Sequence, residues 1–299
     1  MPVSLECEED LSCELGQAFE ALSNMRFDPR EMDSVSEAAT WLRRLTNNRS
    51  FLANLLIERA TGGAHRSVES GYGPQEYIVL SPLHGDVFLR ANIWPSEQDL
   101  CFRNSGAANF VYGLPHDHNF SFLTSGYLGP GYRSDYYEYD YEDVCGYVGE
   151  QAGLRFVERS ALSEGKMMLY RAHVDVHSQL PAERLSVSLN VMHVDPAQCW
   201  FDQYGFDLER GEVSRVLSPN ATEVFMRAAV ALGTEDALDY AEWVGGSHPS
   251  ERLRLASFEA RAARLEESDA EDALWRDAEL SGSRMLAAVA GERRRALGR

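Results

Sequence analysis

Between residues 10 and 61 apolar positions recur at every third or fourth place. Leu11, Leu15, Phe19 and Leu22 form one run, and Leu42, Leu45, Leu52 and Leu56 form another within the stretch from Glu37 to Arg59. That spacing lines one side of a 3.6-residue helix, so this region is predicted to supply packing helices. The segment TGGAHRSVESGYGPQ over 61–75 is rich in Gly, Ser and Pro and reads as a loop. From 76 to 217 the helical period vanishes. Short runs rich in β-branched and aromatic residues replace it, among them EYIVLSP, DVFLRANIW, GYRSDYYEYDYE, GKMMLYRAHVDVH and RLSVSLNVMHV, and Gly, Pro, Asn and Asp punctuate them. Strands in such close succession without intervening helices predict an antiparallel sandwich or barrel. Beyond 219 helices return: SPNATEVFMRAAVALG opens with capping residues, and 247–280 alternates charged and apolar faces. The expected organisation is an N-terminal helical segment (1–70), a β region carrying the chemistry (71–217) and a C-terminal helical segment (218–299).

Composition narrows the function classes. With 299 residues and 44% hydrophobic content the chain can bury a substantial core. Against 47 acidic residues stand 28 basic ones, and the net charge of −19 repels nucleic-acid phosphates and anionic lipid headgroups. Neither nucleic acid nor membrane is therefore an expected partner. The five cysteines, Cys7, Cys13, Cys101, Cys145 and Cys199, are odd in number and scattered. They predict reduced thiols and a cytoplasmic setting. The opening MPVSLECEED is acidic where a secretory leader would be basic. The helical segments offer a surface for a homodimer.

Histidine spacing carries the candidate chemistry. In GLPHDHNFSF, His116 and His118 are two residues apart, so in an extended strand both imidazoles project from one face with Leu114, Phe120 and Phe122. In GKMMLYRAHVDVHSQLP, His173, Asp175 and His177 share one strand parity. A third imidazole from this strand, set against the first two, makes a facial three-nitrogen site that leaves roughly three positions open on an octahedral metal. A lone histidine on an apolar face is more often a core residue than a ligand; it is the second histidine-bearing strand that tips the balance toward a metal. His65, His193 and His248 read as surface or structural residues, and His84 stays open.

PHDHNFSFLTSGYLGPGY followed by GKMMLYRAHVDVHSQLP resembles the two metal-binding motifs of the cupin superfamily, over about residues 76–205. The resemblance implies a mainly β, antiparallel double-stranded β-helix, a cupin-like barrel, here with helical extensions at both ends (α+β). It also implies metal ligation by His116, His118 and one later histidine. Both His173 and His177 remain candidates, with register from Gly165 favouring His177. The glutamate that usually follows the second histidine by four or five residues is replaced by Phe122 and Leu123. What is left is similar to the three-histidine branch that includes the thiol dioxygenases, which implies Fe(II), or another divalent metal, as cofactor.

Three more residues are candidates for catalytic roles. Glu138 lies on the return strand after the GPGY turn and is a possible fourth ligand or acid/base, weighed against a solvated acidic edge. Arg90 and Arg184 sit within alternating strands, where an inward guanidinium calls for an anion such as a substrate carboxylate. Arg184 shares its parity with Ser186, Ser188 and Asn190, a polar face that fits a wet cavity or an outward surface. Tyr132, Tyr137 and Tyr139 read as packing residues. The expected function is a mononuclear non-haem iron oxygenase acting with dioxygen on a small polar molecule such as an amino acid or thiol. The alternatives are a 2-oxoglutarate-dependent hydroxylase, which would use Arg184 and Ser186 for its cosubstrate, and a non-catalytic cupin-like binding protein.

Overall fold

The computed structural model describes residues 1–62, 76–80, 87–218 and 221–299. His65, His84 and most of the expected 61–75 loop lie outside them. The chain divides into two compact units. The first comprises Met1–Tyr141, Gly153–Gln198 and Gly205–Gly211, and the second comprises Glu142–Ala152, Cys199–Tyr204 and Glu212–Arg299.

In chain order come β1 (Val3–Leu5), α1 (Leu15–Asn24), α2 (Met32–Asn47), α3 (Phe51–Gly62), β2 (Glu76–Leu80), β3 (Val87–Trp94), α4 (Leu100–Ser105), β4 (Phe122–Leu128), β5 (Arg133–Glu138), β6 (Arg155–Ala161), β7 (Met167–Tyr170), β8 (Asp175–Leu180) and β9 (Ser186–His193). After β10 (Tyr204–Asp207) and β11 (Glu212–Val216), helices α5 (Ala221–Leu232), α6 (Glu235–Ser247), α7 (Glu251–Ala262), α8 (Ser268–Glu279) and α9 (Arg284–Ala296) complete the chain. Antiparallel sheets with helices before and after them match the α+β expectation. The six residues of α4 are too few to leave a readable period in the sequence.

In the first unit a six-stranded antiparallel sheet runs in the order β1-β7-β4-β9-β3-β2, and a three-stranded sheet runs β6-β5-β8. Among the described residues these strands pair as separate sheets, and none of the pairings closes them into a barrel. The GPGY segment is also not a hairpin turn: β4 pairs with β7 and β9, whereas β5 pairs with β6 and β8. It carries the chain from one sheet to the other. Gly129 and Gly131 take left-handed φ of 82° and 76° there. A Cβ on Gly131 would lie 1.9 Å from the Leu162 carbonyl oxygen, so the crossing needs glycine.

Strand alternation gives the larger sheet two different faces. Leu89 and Ala91 of β3, Leu123 of β4, Leu169 of β7 and Leu189 and Val191 of β9 pack with Val35, Ala38, Leu42 and Leu45 of α2 in one buried apolar layer. The helical positions fall three or four apart, which is why α2 presents a continuous apolar stripe. The opposite face carries Phe122, Met168, Tyr170, Trp94 and Met192, which pack with Tyr132 of the crossing segment and Tyr136 of the second sheet. The two sheets therefore face each other across an aromatic interior. In the second unit, Leu255, Phe258, Leu274, Trp275, Met285 and Leu286 make a separate helical core. No helix among the described residues is long and apolar enough to cross a membrane.

Candidate metal centre

His116 and His118 lie in an extended, irregular segment just ahead of β4, and His177 lies in β8. Main-chain bonds join the two segments at the ligand positions themselves. The His116 N–H donates to the His177 carbonyl at 3.0 Å, and the His177 N–H donates back at 2.9 Å. Such an exchanged pair sets the two side chains beside one another on one face. His118, two residues on, projects the same way. Asp117 between them points elsewhere, fully buried, and accepts a 2.6 Å hydrogen bond from the Tyr139 hydroxyl.

The three imidazoles converge through their Nε2 atoms. His177 Nε2 lies 3.1 Å from His118 Nε2 and 3.2 Å from His116 Nε2, and one ring nitrogen from each residue falls within 4.8 Å of the others. All three residues are buried. The Nδ1–H of His116 donates to the Leu114 carbonyl at 2.7 Å, which leaves its Nε2 lone pair pointing inward. The Nδ1 atoms of His118 and His177 have no hydrogen-bond partner among the described residues. Burial holds His116 down to about 4 against the opposing pull of its Leu114 bond. It also holds His118 and His177 well below the ordinary imidazole range, helped by the neighbouring imidazoles and, at His118, by the Arg90 guanidinium. The rings are therefore neutral near pH 7. Nε2 atoms this close need a proton or a cation between them, and the tautomer of His116 is fixed with its lone pair inward. Two nitrogens at right angles on a metal with bonds of about 2.1 Å sit about 3.0 Å apart. The donor set thus fits a divalent ion that takes imidazole nitrogen.

Aromatic rings wall the triad. His118 packs against Phe120 and Phe122 at centroid distances of 4.9 and 5.0 Å, Tyr170 meets His177 at 5.0 Å, and Tyr136 stacks parallel to His177 at 6.3 Å. The Tyr170 hydroxyl lies 3.0 Å from that of Tyr136 and 3.4 Å from that of Tyr132. The roles of Tyr136 and Tyr170 were not visible in the sequence, because their parity is informative only once the facing sheet is known.

The remaining candidates separate clearly. Arg90 is buried on the inner face of β3, with its Cζ 5.9 Å from the Phe122 ring, and its charge reaches both His118 and Tyr132. Beyond it the inner face continues with buried Asn92, Thr124, Ser188 and Asn190, the polar strip that the β9 pattern offered as a wet interior. Arg184 does not join this strip. It is exposed ahead of β9, which begins only at Ser186, so strand alternation does not extend back to it. His173 does not join the triad either. It precedes β8 in a turn with a left-handed φ of 62°, its N–H donates to the His118 carbonyl at 2.8 Å, and its ring lies 4.2 Å from Tyr141. Glu138 is partly exposed and ion-paired with the Met1 amino group at 2.5 Å and Arg171 at 2.7 Å. Its register partner is Asp175, two pairs beyond the Tyr136–His177 pair, and it is not among the three clustered ligands.

No family model and no curated protein matches the chain. Similar solved structures include a salicylate 1,2-dioxygenase from Pseudaminobacter salicylatoxidans (11% identity, 48% of this chain and 31% of that one, TM-score 0.25). Another is a DMSP lyase from Ruegeria pomeroyi (10% identity, 48% and 64%, TM-score 0.28), and a third is a cupin domain from Bordetella pertussis (12% identity, 42% and 100%, TM-score 0.24). The chain spans about a third of the length of the salicylate dioxygenase. TM-scores of this size do not establish a shared fold, so the reading of the site stands on its own residues.

Proposed function

We propose that this chain is a mononuclear, cupin-type metalloenzyme of the three-histidine kind, an iron-dependent oxygenase acting on a small polar anion such as an amino acid or thiol. The observation that carries the reading is the approach of His177 Nε2 to both His118 Nε2 and His116 Nε2 within 3.2 Å. We assign Fe(II) as the metal, with another divalent first-row ion as the alternative. Held by His116, His118 and His177, it would supply open positions at which the organic anion and dioxygen meet.

The chain's own groups do the positioning. His116 keeps its Nε2 available because its Nδ1 proton is committed to the Leu114 carbonyl. Arg90, a buried cation beside the triad, would hold a substrate carboxylate. Phe120, Phe122 and Tyr170 exclude water, which strengthens that ionic contact. Burial pushes Tyr136 up to about 12 and holds Tyr170 well above the ordinary phenol range, so both phenols stay protonated and act as neutral hydrogen-bond groups. The rival 2-oxoglutarate reading drew on Arg184, and the exposure of that residue removes its anion clamp from the interior.

Metal analysis of the purified, iron-reconstituted protein tests the proposal. We expect close to one equivalent of iron and an axial nitric oxide adduct by EPR, with oxygen uptake on addition of substrate. Binding of less than about 0.1 equivalent of any transition metal after reconstitution would overturn it.

A further inference from the structure

The interior also contains polar atoms that the packing leaves without a hydrogen-bond partner among the described residues, Gln179 Oε1 and Ser134 Oγ among them. Gln179 belongs to β8 and is 4% exposed, yet its Oε1 has no hydrogen-bond partner among the described residues. Its backbone is not loose, because the Gln179 carbonyl accepts the Gly113 N–H at 2.9 Å. Gln179 shares the parity of His177, two residues and about 7 Å further along the strand, so it looks into the same interior. Its cross-strand partner is the fully buried Ser134, next to the Tyr136–His177 pair. On the facing sheet, Arg90 is buried and its charge reaches His118, a member of the triad to which His177 belongs. Leaving a buried amide oxygen unmatched costs free energy, so a donor that reaches it, from a ligand or an ordered water, is favoured.

We propose that Gln179 is a specificity-determining residue, whose amide oxygen accepts a hydrogen bond from a hydroxyl or ammonium group of a bifunctional carboxylate substrate. The inference rests on the proposed function, with Arg90 holding the carboxylate. The substrate class is thereby narrowed from small anions in general to hydroxy- or amino-substituted carboxylates.

The test compares propionate with 3-hydroxypropionate and β-alanine as probes, titrated into the iron-reconstituted full chain under nitrogen and followed by calorimetry. In the wild type the added donor is expected to tighten binding about tenfold, the worth of one good buried hydrogen bond. In Gln179→Leu, of similar volume, that advantage falls to about one while propionate binds as before. The ligand-free melting temperature stays level or rises, since no internal bond is lost. A lower melting temperature or failure to fold, in both Gln179→Leu and Gln179→Met, would make Gln179 a structural residue and overturn the inference. Equal binding of all three probes to the wild type would overturn it while leaving the anion site standing. Absence of binding by any probe would bring down the anionic-substrate reading beneath it.

Discussion

The two faces of the six-stranded sheet are built from the same strands at the same period, yet they hold opposite chemistry. Toward the helices, Leu89, Ala91, Leu123, Leu169, Leu189 and Val191 pack with α2 in a mainly apolar layer, with Ser125 a small polar residue among them. Toward the second sheet, Arg90, Asn92, Thr124, Ser188 and Asn190 alternate with the same apolar residues along β3, β4 and β9. Burial is comparable on the two sides. The apolar face gains free energy by leaving water, whereas the polar face gives part of it up to keep hydrogen-bonding groups dry and in place. The difference teaches where to look for function: the helix-facing side serves packing, and the side that keeps polar groups dry is the one on which to test recognition.

Paired substitutions should separate the two sides. Leu123→Ala, on the helix-facing side, is expected to lower unfolding free energy by about 2–5 kcal/mol in denaturant titrations while the folded protein still binds metal. His177→Ala, on the opposite side, should reduce bound iron from about one equivalent to under about 0.1. If Leu123→Ala were to abolish metal binding in folded protein, the division of labour between the faces would fail.

Acid is the next probe of the inner side. His116 titrates at about 4 in the folded chain and near 6.5 when unfolded, so the unfolded chain takes up the proton first as pH falls. The contribution is fully present above pH 6.5 and is lost between about 6.5 and 4, on the order of a few kcal/mol in the metal-free protein. His116→Gln should flatten that part of the stability-against-pH curve, measured by chemical denaturation with a chelator present. An unchanged slope would mean that His116 is protonated in the native state.

Smaller effects sharpen the picture. The Thr124 hydroxyl donates to Asn190 Oδ1 at 2.6 Å. Thr124→Val deprives that buried oxygen of its donor and should cost about 1–3 kcal/mol, where a shape-conserving swap on the apolar face would be nearly silent. At the far end of the scale, Arg184→Ala should change stability by less than about 0.5 kcal/mol and leave ligand binding alone, because the side chain is exposed. A marked loss of propionate binding in that variant would return Arg184 to the site.

Much of this organisation was legible along the chain, and for local reasons. The three-to-four spacing of Leu42 and Leu45 and the two-residue alternation of Ser186, Ser188 and Asn190 each follow from the geometry of a single element, and the elements formed as those periods require. The pair His116 and His118 projects to one side even though its segment is not a regular strand, because extended backbone alternates with or without a partner. Two candidates fall where a period was carried past the end of its element, although register already favoured His177 over His173 and an outward surface was open for Arg184. His173 shares the parity of His177 on paper, but the left-handed turn ahead of β8 breaks the alternation, and Arg184 is separated from Ser186 by the start of β9.

Sequence alone thus determined the types of ligand, the helical and extended stretches and the polar character of one strand face, all of which depend on neighbours within a few residues. Tertiary structure decided that His177 meets a His-x-His pair some sixty residues earlier, that GPGY joins two sheets instead of turning within one, and that Tyr136 and Tyr170 pack beside His177. Those outcomes depend on strand pairing and register, which are fixed by contacts between distant segments and leave no period in the chain to read.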